Sequence, residues 1–244
     1  MLERIVDVVT ADGTMNTFLV QPDARRSWPL ILLLMDAPGI RDELFAMARR
    51  LSGAGYAVAV PNLYYRSTRT GPVADREAMY RHMNAIQAPA CCADLEQLVV
   101  WCGTQPGVAT ETLGCVGYCM SGPLAIAAAA HFGAQMPAAA AIHGVRLCHQ
   151  GAGSAHRLLN RVRGRLYIGC AEQDAWASPA VIAGFERALL AAGVAAQVHW
   201  FPGTHHGFVF PERTAVYQHA GAELHWQHLL QLFQRQLPKA PEIA

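Results

Sequence analysis

Residues 111–130 read ETLGCVGYCMSGPLAIAAAA. The run Thr112–Tyr118 has the apolar character of a strand, and the alanine-rich stretch from Pro123 has that of a helix. Between them stands Gly117-Tyr118-Cys119-Met120-Ser121-Gly122. This is the strand–turn–helix elbow pattern G-x-S-x-G with cysteine in the serine position. A nucleophile presented there must sit on a sharp, strained turn, and side chains two positions away on either side would collide. Gly117 meets that requirement directly. Gly122 lies three positions on, so Ser121 must be tolerated at the crowded second flank. The start of the following helix carries partial positive charge, which favours a thiolate over a thiol.

Outward from the elbow, short apolar runs alternate with longer amphipathic ones. The pattern predicts an α/β chain with a mostly parallel sheet of about eight strands flanked by helices. Strands are expected at Ile5–Val9, Thr17–Val20, Leu30–Met35, Tyr56–Val60, Leu113–Tyr118, Ala138–Ile142, Leu166–Cys170 and Ala196–Phe201. The first two would pair through a turn at Asp12-Gly13. The run Leu30–Met35 is apolar without alternation, as in a strand buried on both faces. Leu44, Met47, Ala48 and Leu51 recur at helical spacing. Ser178-Pro179 reads as a helix start and Gly193 as its stop, with Val181, Phe185, Ala188 and Ala192 as the buried face. Arg213–Gln236 reads as a long final helix, and LPKAPEIA after it as a frayed tail. Neither a repeat nor a break in composition divides residues 1–244, so one domain is expected.

Two further loops carry chemistry. Ala171-Glu172-Gln173-Asp174 follows the strand RLYIGC, and Gly203-Thr204-His205-His206-Gly207-Phe208 follows AQVHWF. Nucleophile, acid and histidine in that chain order belong to the α/β-hydrolase fold. All three follow strands, at the ends where open parallel sheets place their ligands. His206 is favoured over His205, because Gly207 lets the backbone turn and Phe208 can anchor the loop in the core. Glu172 and Asp174 both remain candidates for the acid on this reading. In the same fold the loop Asp36-Ala37-Pro38-Gly39 would supply one oxyanion-hole N–H from Ala37, and Met120 the other. Tyr64, Tyr65, His143 and Trp176 are pocket candidates by position.

Composition narrows the function classes. The chain has 244 residues, 52% hydrophobic and 15% charged, with a net charge of +1. That is ample material for a core, and it offers neither a basic patch for nucleic acid nor one for an anionic membrane. No apolar run approaches the roughly 20 residues that span a bilayer, and the amino terminus lacks the plan of a signal peptide. The seven cysteines, Cys91, Cys92, Cys102, Cys115, Cys119, Cys148 and Cys170, include no C-x-x-C pair. Unpaired thiols suit a reducing compartment, so a cytoplasmic protein is expected. No metal or cofactor is called for, and the expected partner is a small-molecule ester or lactone, bound by a monomer or homodimer. A non-catalytic ligand-binding scaffold and a thiol redox sensor are the competing functions.

Gly117-Tyr118-Cys119, Pro61-Asn62-Leu63-Tyr64, Asp94-Leu95-Glu96, Gln173-Asp174 and His206-Gly207-Phe208 together resemble the dienelactone hydrolase (carboxymethylenebutenolidase) family. The resemblance implies an α/β-hydrolase fold without a cap domain. It also implies ester or lactone hydrolysis through an acyl-cysteine, with Cys119, Asp174 and His206 as the triad; it decides for Asp174 over Glu172. In the family a glutamate beside the cysteine holds the resting thiol. Asp36, one methylene shorter, stands at that position here as the thiol-modulating residue. Family members acting on dienelactone hold its carboxylate with two arginines. One is expected just past the histidine loop, where this chain has Val209 and Phe210; for the other, Arg76 and Arg81 are candidates. Arg81 from the resemblance, with Tyr64 and Trp176 by position, are thus the substrate-binding candidates, and the resemblance points away from carboxylate-bearing dienelactone.

Overall fold

The computed structural model describes residues 1–237. The tail expected after the last helix lies, from Pro238 onward, outside the described residues. The described chain forms two compact units, Met1–Gly114 with Leu237, and Cys115–Gln236.

In the first unit β1 (Leu2–Thr10), β2 (Gly13–Gln21), β3 (Trp28–Leu34) and β4 (Ala57–Pro61) are ordered β1-β2-β4-β3. β1 and β2 are antiparallel, as are β2 and β4, whereas β3 and β4 run parallel. The hairpin closes with Thr10 opposite Gly13, so its turn is Ala11-Asp12, one residue earlier than expected. Every residue of β3 is buried, which is why its sequence lacks alternation. α1 (Asp42–Gly53) buries Leu44, Met47, Ala48 and Leu51, the stripe that its spacing predicts. α2 (Arg76–Ala85) buries none of its residues, while α3 (Ala88–Gly103) buries Leu95, Leu98, Val99 and Cys102 among others.

β5 (Val108–Tyr118) runs out of the first unit into the second. There follow α4 (Gly122–Phe132), β6 (Ala138–Ile142), β7 (Arg165–Gln173), α5 (Pro179–Ala191), β8 (Ala196–His205) and α6 (His219–Gln236). β6, β7 and β8 are consecutive parallel neighbours, so their carboxyl ends lie on one edge. All eight expected strands are present, mostly parallel and flanked by helices, an arrangement of the α/β-hydrolase kind.

Three local expectations need correction. α5 buries Ile182, Phe185 and Leu189 rather than Val181, Ala188 and Ala192. Both sets have helical spacing; the larger Ile and Leu side chains take the core because they remove more apolar area from water. Ser178 precedes that helix, but its hydroxyl makes no capping bond. Gly193 does follow its end, at φ +65. Finally, α6 starts at His219 rather than Arg213. The Gln218 N–H is donated to the Phe208 carbonyl, which draws that segment back onto the histidine loop and out of a helical ladder. Among the described residues no helix is long and apolar enough to cross a membrane.

Candidate active site

Cys119 directly follows β5 and opens a single 3-10 turn, Cys119–Ser121, before α4. Its φ is +54, a left-handed conformation that an L-residue with a side chain seldom adopts. Such strain persists only where the surroundings enforce it. The enforcement is visible at the flanking glycines. A Cβ on Gly117 would lie 2.0 Å from the Ser121 carbonyl oxygen, and one on Gly122 would lie 2.6 Å from Gly144 Cα. Ser121 itself is fully buried and tolerated, and the crowding expected at the second flank falls on Gly122. Gly117→Ala is therefore expected to cost about 3 kcal/mol, a fall in Tm of about 6–12 °C. A thermal melt within about 2 °C of wild type would contradict it.

Three side chains of the second unit converge. His206 Nδ1 lies 2.8 Å from Asp174 Oδ2, and the other carboxylate oxygen, Oδ1, accepts the Trp176 N–H at 2.8 Å. The Cys119 thiol is in hydrogen-bond contact with His206. With Nδ1 committed to Asp174, Nε2 is left for the sulfur. Burial works against a charge on the His206 ring. The bonds to Asp174 and Cys119 outweigh it and push the pKa up to about 9. Asp174 is buried and Cys119 half-buried.

The two competitors do other work. Glu172 accepts the Gly203 N–H at 2.8 Å and so braces the end of β8. His205 is exposed beside His206. Gly207 has φ +89, and a Cβ there would lie 2.6 Å from an Arg213 guanidinium nitrogen. Phe208 is fully buried and holds the loop down. Trp176 keeps its ring 55% exposed while its backbone fixes Asp174. Met120, next after Cys119, is buried.

In the first unit Asp36 is fully buried and receives Arg41 at 2.6 Å and 3.4 Å. Arg41 also reaches Glu43 and the Gly39 carbonyl. Burial opposes the Arg41 charge, but the two carboxylates more than compensate and raise its pKa. The Tyr64 hydroxyl donates to the Ala37 carbonyl at 2.9 Å, which fixes the Ala37–Pro38 peptide, the one after the N–H expected to serve the oxyanion. Arg81 lies on the exposed surface of α2, paired with Glu77 at 2.9 Å, and Arg76 lies over the Tyr80 ring. Tyr65 is buried and donates to Asp94 at 2.9 Å, in a network with Arg66.

Two features escaped the sequence reading. Arg213 packs its guanidinium over Phe210 and beside Gly207, seven positions after His206, and no motif spacing marks it. His225 is fully buried on α6, its ring nitrogens facing the hydroxyls of Tyr118 and Tyr167 at 3.2 Å and 3.4 Å. A histidine in register with Ala222 and Leu229 on an apolar helix stripe was the available signal. Of the other cysteines, Cys91, Cys92, Cys102, Cys115 and Cys170 are buried, and burial pushes Cys102 and Cys170 up to about 12. Those two are inert thiols at neutral pH. Among the described residues no group of three or more His, Cys, Asp or Glu could hold a metal ion.

The model of the dienelactone hydrolase family matches residues 15–237. The carboxymethylenebutenolidase of Pseudomonas putida is 30% identical over 135 residues, 53% of this chain and 57% of its own. A Synechocystis sp. protein, provisionally given that same name, is 26% identical over 234 residues, 90% of this chain and 91% of its own. The crystal structure of a protein from Klebsiella pneumoniae, provisionally named a dienelactone hydrolase, superimposes with a TM-score of 0.86. It has 22% identity and covers 95% of this chain and 98% of its own. With a family match that runs from β2 to the end of α6, the chain belongs to the dienelactone hydrolase family and is a hydrolase of carboxylic esters or lactones.

Proposed function

We propose that the protein cleaves small, neutral esters or lactones through an acyl-cysteine at Cys119. One observation carries this reading. The residue on the strained elbow is a cysteine in contact with an imidazole whose far nitrogen is held by a buried carboxylate. His206 takes the thiol proton, and the thiolate adds to the acyl carbon. The carbonyl electrons move onto oxygen, where the Met120 and Ala37 N–H groups would receive them. As that oxyanion collapses, the C–O bond to the leaving group breaks and His206 returns its proton to the alkoxide. Water, deprotonated by His206, then attacks the thioester. The carboxylic acid leaves and the thiol is regenerated.

By the family resemblance Asp36 modulates the thiol, and Arg41 holds its side chain in place. On substrate, the chain offers Val209 and Phe210, both buried, where a carboxylate-binding arginine is expected. Arg81 already has Glu77. A charge-assisted contact to a substrate carboxylate is therefore weakened, and neutral acyl groups are favoured. Trp176 would lend its exposed side chain to them, and Tyr64 would brace the Asp36–Gly39 loop through the Ala37 carbonyl.

Initial rates on p-nitrophenyl acetate, p-nitrophenyl butyrate and dienelactone test the substrate class, with intact-mass detection of the acyl adduct on Cys119. Repeated turnover and a kcat/KM about tenfold higher for the better neutral ester are expected. Higher kcat/KM for dienelactone than for both esters would refute the preference. A single stoichiometric burst would favour the redox-sensor reading instead.

A further inference from the structure

His143 directly follows β6 and is 1% exposed, yet neither ring nitrogen has a hydrogen-bond partner. Its backbone is held at φ +38, with its N–H donated to the Gly169 carbonyl at 2.7 Å. Buried unpaired nitrogens and a left-handed backbone are both unfavourable, and phenylalanine would fill the same space without the first penalty. What the ring touches is informative. It meets the His206 ring edge-on, centroids 4.7 Å apart and planes at 62°, within a cage of Tyr118, Phe208 and Phe210.

We propose that His143 is a positioning residue that holds the plane of the His206 imidazole and turns an unshared nitrogen pair toward it when it becomes a cation. A neutral imidazole always carries one such pair, and with neither nitrogen committed elsewhere either tautomer is open to it. Burial keeps His143 neutral, lowering its pKa well below the ordinary value; His206, Arg213 and His225 add to this, and together they outweigh the ring's interaction with its own backbone, which raises it. The titratable groups facing His206 in the same unit are Asp174 and Cys119. His143 thus adds a polar atom beside the catalytic ring without adding a competing charge. While His206 is neutral that atom is unsatisfied; it acquires a counterpart whenever His206 carries the proton.

The inference rests on His206 being the catalytic imidazole, and the test separates the two. His143→Phe keeps an aromatic ring and removes both nitrogens. The expected result is a Tm raised by about 2–4 °C, a kcat on p-nitrophenyl butyrate lowered about tenfold or more with KM within about twofold, and a His206 that titrates at lower pH by NMR. An unchanged kcat with an unchanged His206 titration overturns the proposal, and so does a lowered Tm accompanying the lost kcat, which would assign His143 to packing. If the phenylalanine variant does not fold, His143→Asn decides, because asparagine accepts the left-handed backbone; a wild-type kcat there also overturns the proposal. Absence of turnover in wild type would sink the catalytic reading instead, while the His206 titration would still judge this one.

Discussion

Cys119→Ala is expected to lower kcat on p-nitrophenyl butyrate by about 10⁴-fold or more, with KM little changed. The expectation follows from how the sulfur is presented. The elbow backbone is fixed by Gly117 against Ser121 and by Gly122 against Gly144, so the alanine variant retains the turn and loses only the nucleophile. The Cys119 carbonyl also accepts the Val145 N–H at 3.1 Å, a bond that any residue at this position keeps. Removal of the thiol therefore reports on chemistry, and a circular-dichroism melt close to wild type would verify that. His206 also loses a partner: without the sulfur, its pKa should fall from about 9, since the contact with Cys119 helps to raise it. Residual activity within about tenfold of wild type would show that another group attacks the ester, and Cys148, the other half-buried cysteine, would be examined next.

The parts of this site that could be read in the sequence are those whose physics is local. Gly117 and Gly122 are demanded by backbone atoms within a few residues or one loop away, and the strand runs before Cys119, Asp174 and His206 carry their own pattern. Gly193 at φ +65 and Gly207 at φ +89 belong to the same class, since a positive φ leaves its mark as a glycine. What stayed hidden depends on the identity of distant neighbours. Spacing alone allows α5 either Val181 or Ile182 on its buried face, and the sheet beneath decides. The α6 boundary turns on a bond from Gln218 back to Phe208, which no helix signal within residues 213–218 encodes. Asp36 stands out as a polar residue after an apolar strand, but its pairing with Arg41, which also holds Glu43, could not be told from three surface charges. Glu172 and Asp174 differ by two positions, one near the end of β7 and the other just past it. Only the structure shows one of them bracing Gly203 and the other holding His206.

The second large effect is expected of Asp174→Asn, which changes few atoms and should still lower kcat/KM by about 10⁴-fold. The geometry dictates which way the new amide faces. Oδ1 accepts the Trp176 N–H at 2.8 Å, so the asparagine oxygen is retained there and its NH₂ is turned toward His206 Nδ1. A donor now faces Nδ1, which must become the acceptor; the ring proton moves to Nε2 and points at the sulfur. His206 can then no longer take the proton of Cys119. The pH dependence should change in a definite direction as well. In wild type the contribution of the His206 charge to stability is fully present below about pH 6.5 and is lost as pH rises through about 9. The alkaline limb of kcat/KM should lie near that upper value, where the imidazolium gives up its proton. Loss of the Asp174 charge and bond removes the first of the contributions that raise the pKa, while burial still lowers it, so the limb should move toward acid. Stopped-flow rates between pH 5 and pH 10, on the order of ten points for each protein, would read both effects. If the asparagine variant keeps the wild-type rate and limb, Asp174 does not set the tautomer of His206, and the acid of the triad would have to be sought elsewhere.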